Sequence, residues 1–207
     1  MPRWNFEKFW SAEDKVGLQM KSVGEVMGIG RTFLEALQKA CQSQENGRAG
    51  LGADKKEWIK TDDILNRLEH ASADRIYRLK DALRLGVPGK TVHKLTKIDP
   101  WFINQIKRLV KIEDQLLRYN VPEDIPTDFF REVKTLGYSD AQIAWLLRIE
   151  EEDVTKERKK RGIRRTYKVV DTCAAEFEAQ TPYFYSCLLY TSPSPRDATL
   201  SRMPSSA

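Results

Sequence analysis

A chain of 207 residues with 41% hydrophobic content can bury the core of one domain, or of one and a half. Its formal net charge of +5 is spread over interleaved acids and bases, so charge alone assigns no polyanionic partner. No apolar run reaches the ~18 to 20 residues of a membrane span, the N-terminus lacks the layout of a signal peptide, and Cys41, Cys173 and Cys187 form neither a disulfide framework nor a zinc set. The expected address is the cytoplasm, with Cys41 and Cys173 as reduced thiols and no membrane partner.

The first thirty residues read as strand. Val16, Leu18 and Met20 alternate, and a second apolar stretch at Val23, Val26, Met27 and Ile29 is punctuated by Gly24, Gly28 and Gly30. Thr32 followed by Glu35 fits a capping box, and the helix after it places Phe33, Leu37 and Ala40 on one face. Residues 43–60, with Gly47, Gly50 and Gly52 and little periodicity, read as a loop.

From Thr61 to Arg161 almost everything has helical period, and about seven helices are expected. Ile64, Leu65 and Leu68 mark one, and Ile76, Leu79 and Leu83 another that Gly86 ends. Asp99 caps the longest helix with Pro100 in its first turn, and Phe102, Ile106, Leu109, Val110 and Leu116 form its apolar stripe. Past Pro122 and Pro126, Phe129, Phe130, Val133 and Leu136 predict a helix closed by Gly137, and Ser139 with Gln142 forms a second capping box before Ile143, Ala144 and Leu147. A charged helix over 150–161 follows, and the β-branched and aromatic content of 166–170 predicts a short strand.

The chemical motifs are weak. Gly28 and Gly30 lack the third glycine of a dinucleotide fingerprint and the Gly-Lys-Ser/Thr ending of a phosphate loop, so they predict close backbone packing. Cys173 has no triad context and is expected as a buried structural thiol; His70 and His93 are expected on helix surfaces or ends rather than on a metal. Residues 127–168 form three short helices ending in Lys156, Arg158, Lys159, Lys160, Arg161, Arg164, Arg165 and Lys168, which is the outline of a helix-turn-helix. The turn that would enter the groove carries Glu150, Glu151, Glu152 and Asp153, which oppose DNA, whereas acids at the start and bases at the end of a helix complement its dipole. A nucleic-acid module is therefore the alternative, not the main reading. Trp101, Phe102, Phe129, Phe130 and Trp145 exceed what a minimal core of this size needs and are the candidate interface residues, with burial inside the domain as the competing account.

Two stretches carry a resemblance. Pro2-Arg3-Trp4-Asn5-Phe6-Glu7-Lys8-Phe9 with Gln19-Met20-Lys21-Ser22-Val23-Gly24-Glu25-Val26-Met27-Gly28-Ile29-Gly30-Arg31 resembles the end of the first ATP-grasp half of carbamoyl-phosphate synthetase large chains. The segment from Tyr167 to Phe177, with Val170-Asp171-Thr172-Cys173-Ala174-Ala175-Glu176, resembles the passage from that family's helical oligomerisation domain into its second half. Ala73-Asp74-Arg75-Ile76, Thr96 to Phe102 and Gly137-Tyr138-Ser139-Asp140 stand between them in the family's order.

The resemblance implies a mainly α fold: a small multi-helix oligomerisation domain at 46–165, preceded by a strand-helix remnant of an ATP-grasp domain at 1–45 and followed by a linker at 166–186. The Ser/Pro-rich stretch 187–207 departs from the family and is expected to be a non-native or disordered tail, and Met1 an internal methionine at a truncated end. The family makes carbamoyl phosphate from bicarbonate, glutamine-derived ammonia and two ATP, feeding arginine and pyrimidine synthesis. It uses ATP and Mg2+, with Mn2+ and K+ as further ions, and a glutaminase small chain as partner. Its phosphate-handling residues fall outside 2–186, so no catalytic, cofactor-binding or metal residue is transferred here. Arg3, Lys8, Lys21 and Arg31 are expected to serve packing and salt bridges, and the segment to serve assembly while being inactive alone.

Overall fold

The computed structural model describes residues 1–4, 15–18, 20–56, 63–173, 176–177 and 183–188. Lys8, much of the first motif, Ala174, Ala175 and the tail beyond Leu188 lie outside the described residues, and so do the expectations placed on them. The described part is mainly α. Eight α-helices lie among these residues: α1 Phe33–Gln42, α2 Ile64–Glu69, α3 Arg75–Arg84, α4 Gly89–Thr96, α5 Pro100–Leu116, α6 Thr127–Thr135, α7 Asp140–Leu147 and α8 Glu151–Lys160. A 3-10 turn at Pro122–Asp124 joins α5 to α6. Two antiparallel ribbons flank them, β1 Pro2–Trp4 on β2 Ser22–Glu25, and β3 Thr166–Val169 on β4 Phe184–Cys187.

The N-terminal strands differ from expectation. Val16, Leu18 and Met20 form no ladder and are exposed, and β2 pairs instead with Pro2–Trp4, the chain closing through Met1 N to Val26 O at 2.8 Å. Alternation is a sign of strand only where a partner accepts the backbone bonds, and here the partner is the very start of the chain. Gly28 and Gly30 run against α1. A Cβ on Gly28 would lie 2.2 Å from Ala36 O and one on Gly30 2.8 Å from Ala36 N, so both glycines are required by backbone contact, as their sequence context predicts.

Helix α1 buries Ala40 of the expected face, and with it a neighbouring set. Leu34, Gln38 and Cys41 point inward, while Phe33 and Leu37 are half-buried at the edge. Half of the buried amide is satisfied: Gln38 Oε1 accepts from Leu51 N at 2.7 Å, in a loop that itself packs Leu51 and Ala53 into the core, while Nε2 has no partner among the described residues. The first capping box is half formed: Thr32 Oγ1 accepts from Glu35 N at 3.2 Å, but the Glu35 carboxylate turns to Arg31 N and Lys39 Nζ. The second is complete, Ser139 Oγ accepting from Gln142 N and Gln142 Oε1 from Ser139 N.

The core gathers Leu68, Leu79, Val92, Ile103, Ile106, Leu109, Leu116, Phe130, Val133, Ile143 and Val154. In α5 the buried stripe is Ile103, Ile106, Leu109, Val110, Ile112 and Leu116; Phe102 falls outside it, contrary to expectation, as does Leu65 in α2. Gly86, Gly137 and Gly162 end their helices at positive φ. Arg161 locks the far end of α8 onto the 3-10 turn. Its guanidinium donates to Ile125 O, to Pro122 O and Glu123 O at 2.9 Å, and to Glu157 Oε1 at 2.7 Å, and lies over the Phe130 ring. At the C-terminal side, Cys187 is buried opposite Thr166 as the last paired residue of β4, so the ladder runs one residue past the compositional break. Cys173 is half-buried in a turn rather than buried as expected.

Candidate functional site

The turn between α4 and α5 sets up an exposed aromatic patch. Lys97 takes a left-handed conformation (φ 60°), which swings the chain so that Asp99 can cap α5 by accepting from Trp101 N at 2.8 Å, with Pro100 at the first helical position. Residues 101 and 102 then leave the first turn on the side away from Ile103 and Ile106. Trp101 and Phe102 pack edge to face with ring centroids 5.0 Å apart, and Phe33, at the start of α1, meets them at 5.4 and 5.1 Å. Such tilted and edge-on pairs are the favoured aromatic geometries and hold the rings in place. Trp101 nonetheless keeps 52% and Phe102 41% of its surface open to solvent.

The five candidate interface residues therefore separate. Trp101 and Phe102 stand together at the surface. Phe129 is half-buried against Tyr119, and Trp145 is half-buried in a groove of about 760 Å3 beside Leu117, Arg84 and Ile149. Phe130 has no exposed surface and cannot be an interface anchor; it fills the core under Arg161. Phe33, placed by periodicity on one face of α1 with Leu37 and Ala40, is the third member of the patch. Its place at the first position of the helix was the available signal, since a residue there has no preceding turn to pack on.

The buried titratable groups pair within the fold. Lys80 Nζ pairs with Glu113 Oε1 at 2.6 Å, both side chains 1% exposed, and Tyr138 Oη donates to the same carboxylate at 3.1 Å. Lys134 and Arg158 hold Asp140 at 2.7 and 2.9 Å. Burial opposes the charge of Asp140, but Lys134, Arg158 and Thr155 together bring its carboxyl below the ordinary 3.8. Burial pushes the Cys41 thiol up to about 11, which makes it unreactive at neutral pH. Arg3 pairs with Glu45 at 2.9 Å. His70 and His93 sit exposed at helix ends, each ring bonded to a backbone carbonyl. Among the described residues no three His, Cys, Asp or Glu side chains come together in a way that would hold a metal ion.

The helix-turn-helix outline fares poorly. The first turn of α8 exposes Glu151, Glu152 and Asp153, while Arg158 is bound to Asp140, Arg161 to carbonyls and Glu157, and Lys160 to Glu157. Three of the bases, Arg158, Lys160 and Arg161, are thus engaged within the fold, and the comparisons below lend the module no support.

Residues 25–162 match the family model of the carbamoyl-phosphate synthetase large chain, oligomerisation domain. A carbamoyl phosphate synthase large chain from Archaeoglobus fulgidus is 49% identical over 191 residues, covering 90% of this chain and 18% of that protein. The large chain of Synechocystis is 45% identical over 187 residues, covering 90% of this chain and 17% of its own length. The large chain's N-terminal section from Methanopyrus kandleri is 44% identical over 198 residues, covering 90% of this chain and 35% of itself. The chain thus spans between about a sixth and a third of the length of these relatives.

Proposed function

The chain belongs to the family of carbamoyl-phosphate synthetase large chains, and from that premise we propose that its helical body serves self-association of large chains while its two ribbons connect that body to neighbouring parts of the protein. The observation that carries this reading is the aromatic patch of Trp101, Phe102 and Phe33: three large rings fixed against one another, two of them open to solvent, on a domain whose core is already filled. Rigid aromatic anchors of this kind supply most of the energy in protein interfaces. Candidate membrane-spanning helices are lacking among the described residues.

In the whole protein this segment would take part in an ATP-dependent carbon–nitrogen ligase making carbamoyl phosphate from bicarbonate and glutamine-derived ammonia, for arginine and pyrimidine synthesis in the cytoplasm. ATP, Mg2+, Mn2+ and K+, and a glutaminase small chain, would act outside these residues. The described side chains are in keeping with that division, since the buried Lys80 pairs with Glu113 and the buried Lys134 with Asp140. The 207-residue chain alone neither makes carbamoyl phosphate nor binds magnesium-ATP tightly; a micromolar site in calorimetric titration would refute this. Sedimentation equilibrium over a wide concentration range tests assembly. The expected result is concentration-dependent dimerisation that duplex DNA leaves unchanged, and a strict monomer throughout would overturn the reading.

A further inference from the structure

Where α1, α6, α8 and β4 converge, a cleft of about 80 Å3 is lined by Glu35, Lys39, Lys134, Arg158, Arg165 and Ser186 among others. A water needs only about 10–15 Å3 on this measure, so the cleft has room for a small polyatomic ion with some of its water. Its charge is unbalanced. Glu35 answers Lys39 at 2.7 Å, and Asp140 is shared by Lys134 and Arg158. Four cations thus face two carboxylates, and both carboxylates are saturated: Glu35 also accepts from Arg31 N, and Asp140 from Thr155 Oγ1.

Two guanidinium groups retain donors. Arg158 uses Nε on Asp140 and Nη1 on Ile163 O, and among the described residues its Nη2 has no partner. Arg165 makes no hydrogen bond or ion pair among the described residues. The crowding is felt at Lys134, whose ammonium is disfavoured first by burial; Asp140 opposes the effect, and Arg158 and Arg165 add to it. A planar guanidinium fork matches the oxygens of carboxylate or phosphate, and its charge-assisted bonds are about twice as strong as neutral ones.

We propose that this cleft is a binding site for a small oxyanion, held by Arg165 and the free edge of Arg158 beside Lys134. Lys39 already reaches from Ile29 O across to Ser186 O, so an anion here would fasten β4, on the C-terminal side, to α1 and α8. The cleft lies apart from the aromatic patch, and the two readings fail separately.

The test is a titration of the 207-residue chain with inorganic phosphate, bicarbonate and acetate at constant ionic strength, followed by side-chain NMR of the arginine Nε–H groups, with chloride as control. Saturable shifts at Arg165 and Arg158 are expected for at least one oxyanion and absent for chloride, and hydrogen exchange at 184–187 should slow when the site is filled. The relative response of phosphate against the two carboxylate-like ions tells which source the site prefers. Arg165→Gln, at an exposed position, should leave the melting temperature of the unliganded chain unchanged and weaken binding about tenfold, the loss of one charge-assisted pair. Trp101→Glu should leave the titration untouched. Non-saturating shifts equal to those in chloride, or undiminished binding by Arg165→Gln, would overturn the proposal.

Discussion

Gln38 and Gln142, 104 positions apart in the chain, lie amide to amide in the core, with Gln142 Nε2 at 3.4 Å from Gln38 Oε1. Gln142 also donates to Gly52 O at 2.7 Å and accepts from Ser139 N at 3.1 Å, while Gln38 holds Leu51 N. One pair of amides therefore joins α1, the 43–56 loop and the start of α7. Replacing Gln142 by Met keeps the volume but leaves Gly52 O and Ser139 N without their partners, and should cost about 2–4 kcal/mol. Ser139→Ala, which removes the cap and the bond from Ser139 Oγ to Ala49 O at 3.0 Å, should cost about 1–2 kcal/mol. Urea unfolding followed by tryptophan fluorescence compares them; equal costs would mean that Gln142 acts only as a helix cap.

The glycine pair gives a second prediction. Gly28→Ala would place a methyl 2.2 Å from Ala36 O and 2.8 Å from Ala40 N, both backbone atoms that cannot turn aside. The strand-side segment should lift from α1 at about 1–3 kcal/mol, seen as faster hydrogen exchange at 26–30. Unchanged exchange would show that this contact does not hold the segment.

Asp140 should make the chain acid-sensitive. Its carboxyl titrates below the ordinary value in the folded state, so the unfolded chain binds the proton first as pH falls. The stabilisation is complete above pH ~4 and is lost as the pH falls further, through the folded value. Lys134, titrating below its ordinary 10.5, acts in the alkaline window with stability rising as pH increases. Melting temperatures from pH 7 to 2 should fall less steeply for Asp140→Asn than for the parent chain, although Asp140→Asn starts lower. Parallel curves would remove Asp140 from the account.

The aromatic residues separate by role. Phe130→Ala should cost about 3–5 kcal/mol, because it empties a fully buried site under Arg161. Trp101→Glu, at a half-open position, should leave the melting temperature nearly unchanged and abolish dimerisation in sedimentation. Loss of folding by Trp101→Glu, or dimerisation that survives it, would contradict the patch as an interface.

The helical period over 61–161, the Asp99–Pro100 start of α5, the Ser139–Gln142 box and the charged α8 were all legible in the sequence, because each depends on residues within one or two turns of one another. The family, too, was readable from local motifs. Partners brought from afar were not. Val16, Leu18 and Met20 alternate like a strand, yet β2 pairs with Pro2–Trp4; Leu34 and Gln38 are buried while Phe33 and Leu37 stay half-buried, and Gln38 Oε1 takes its donor from Leu51 in a distant loop. Of five large aromatic residues set in helical segments, packing hid Phe130 and exposed Trp101 beside Phe102, and brought Phe33 to them from another helix. Periodicity fixes which residues share a face of one helix. Which face is covered depends on the elements that pack against it, and that is decided only when the whole chain has closed.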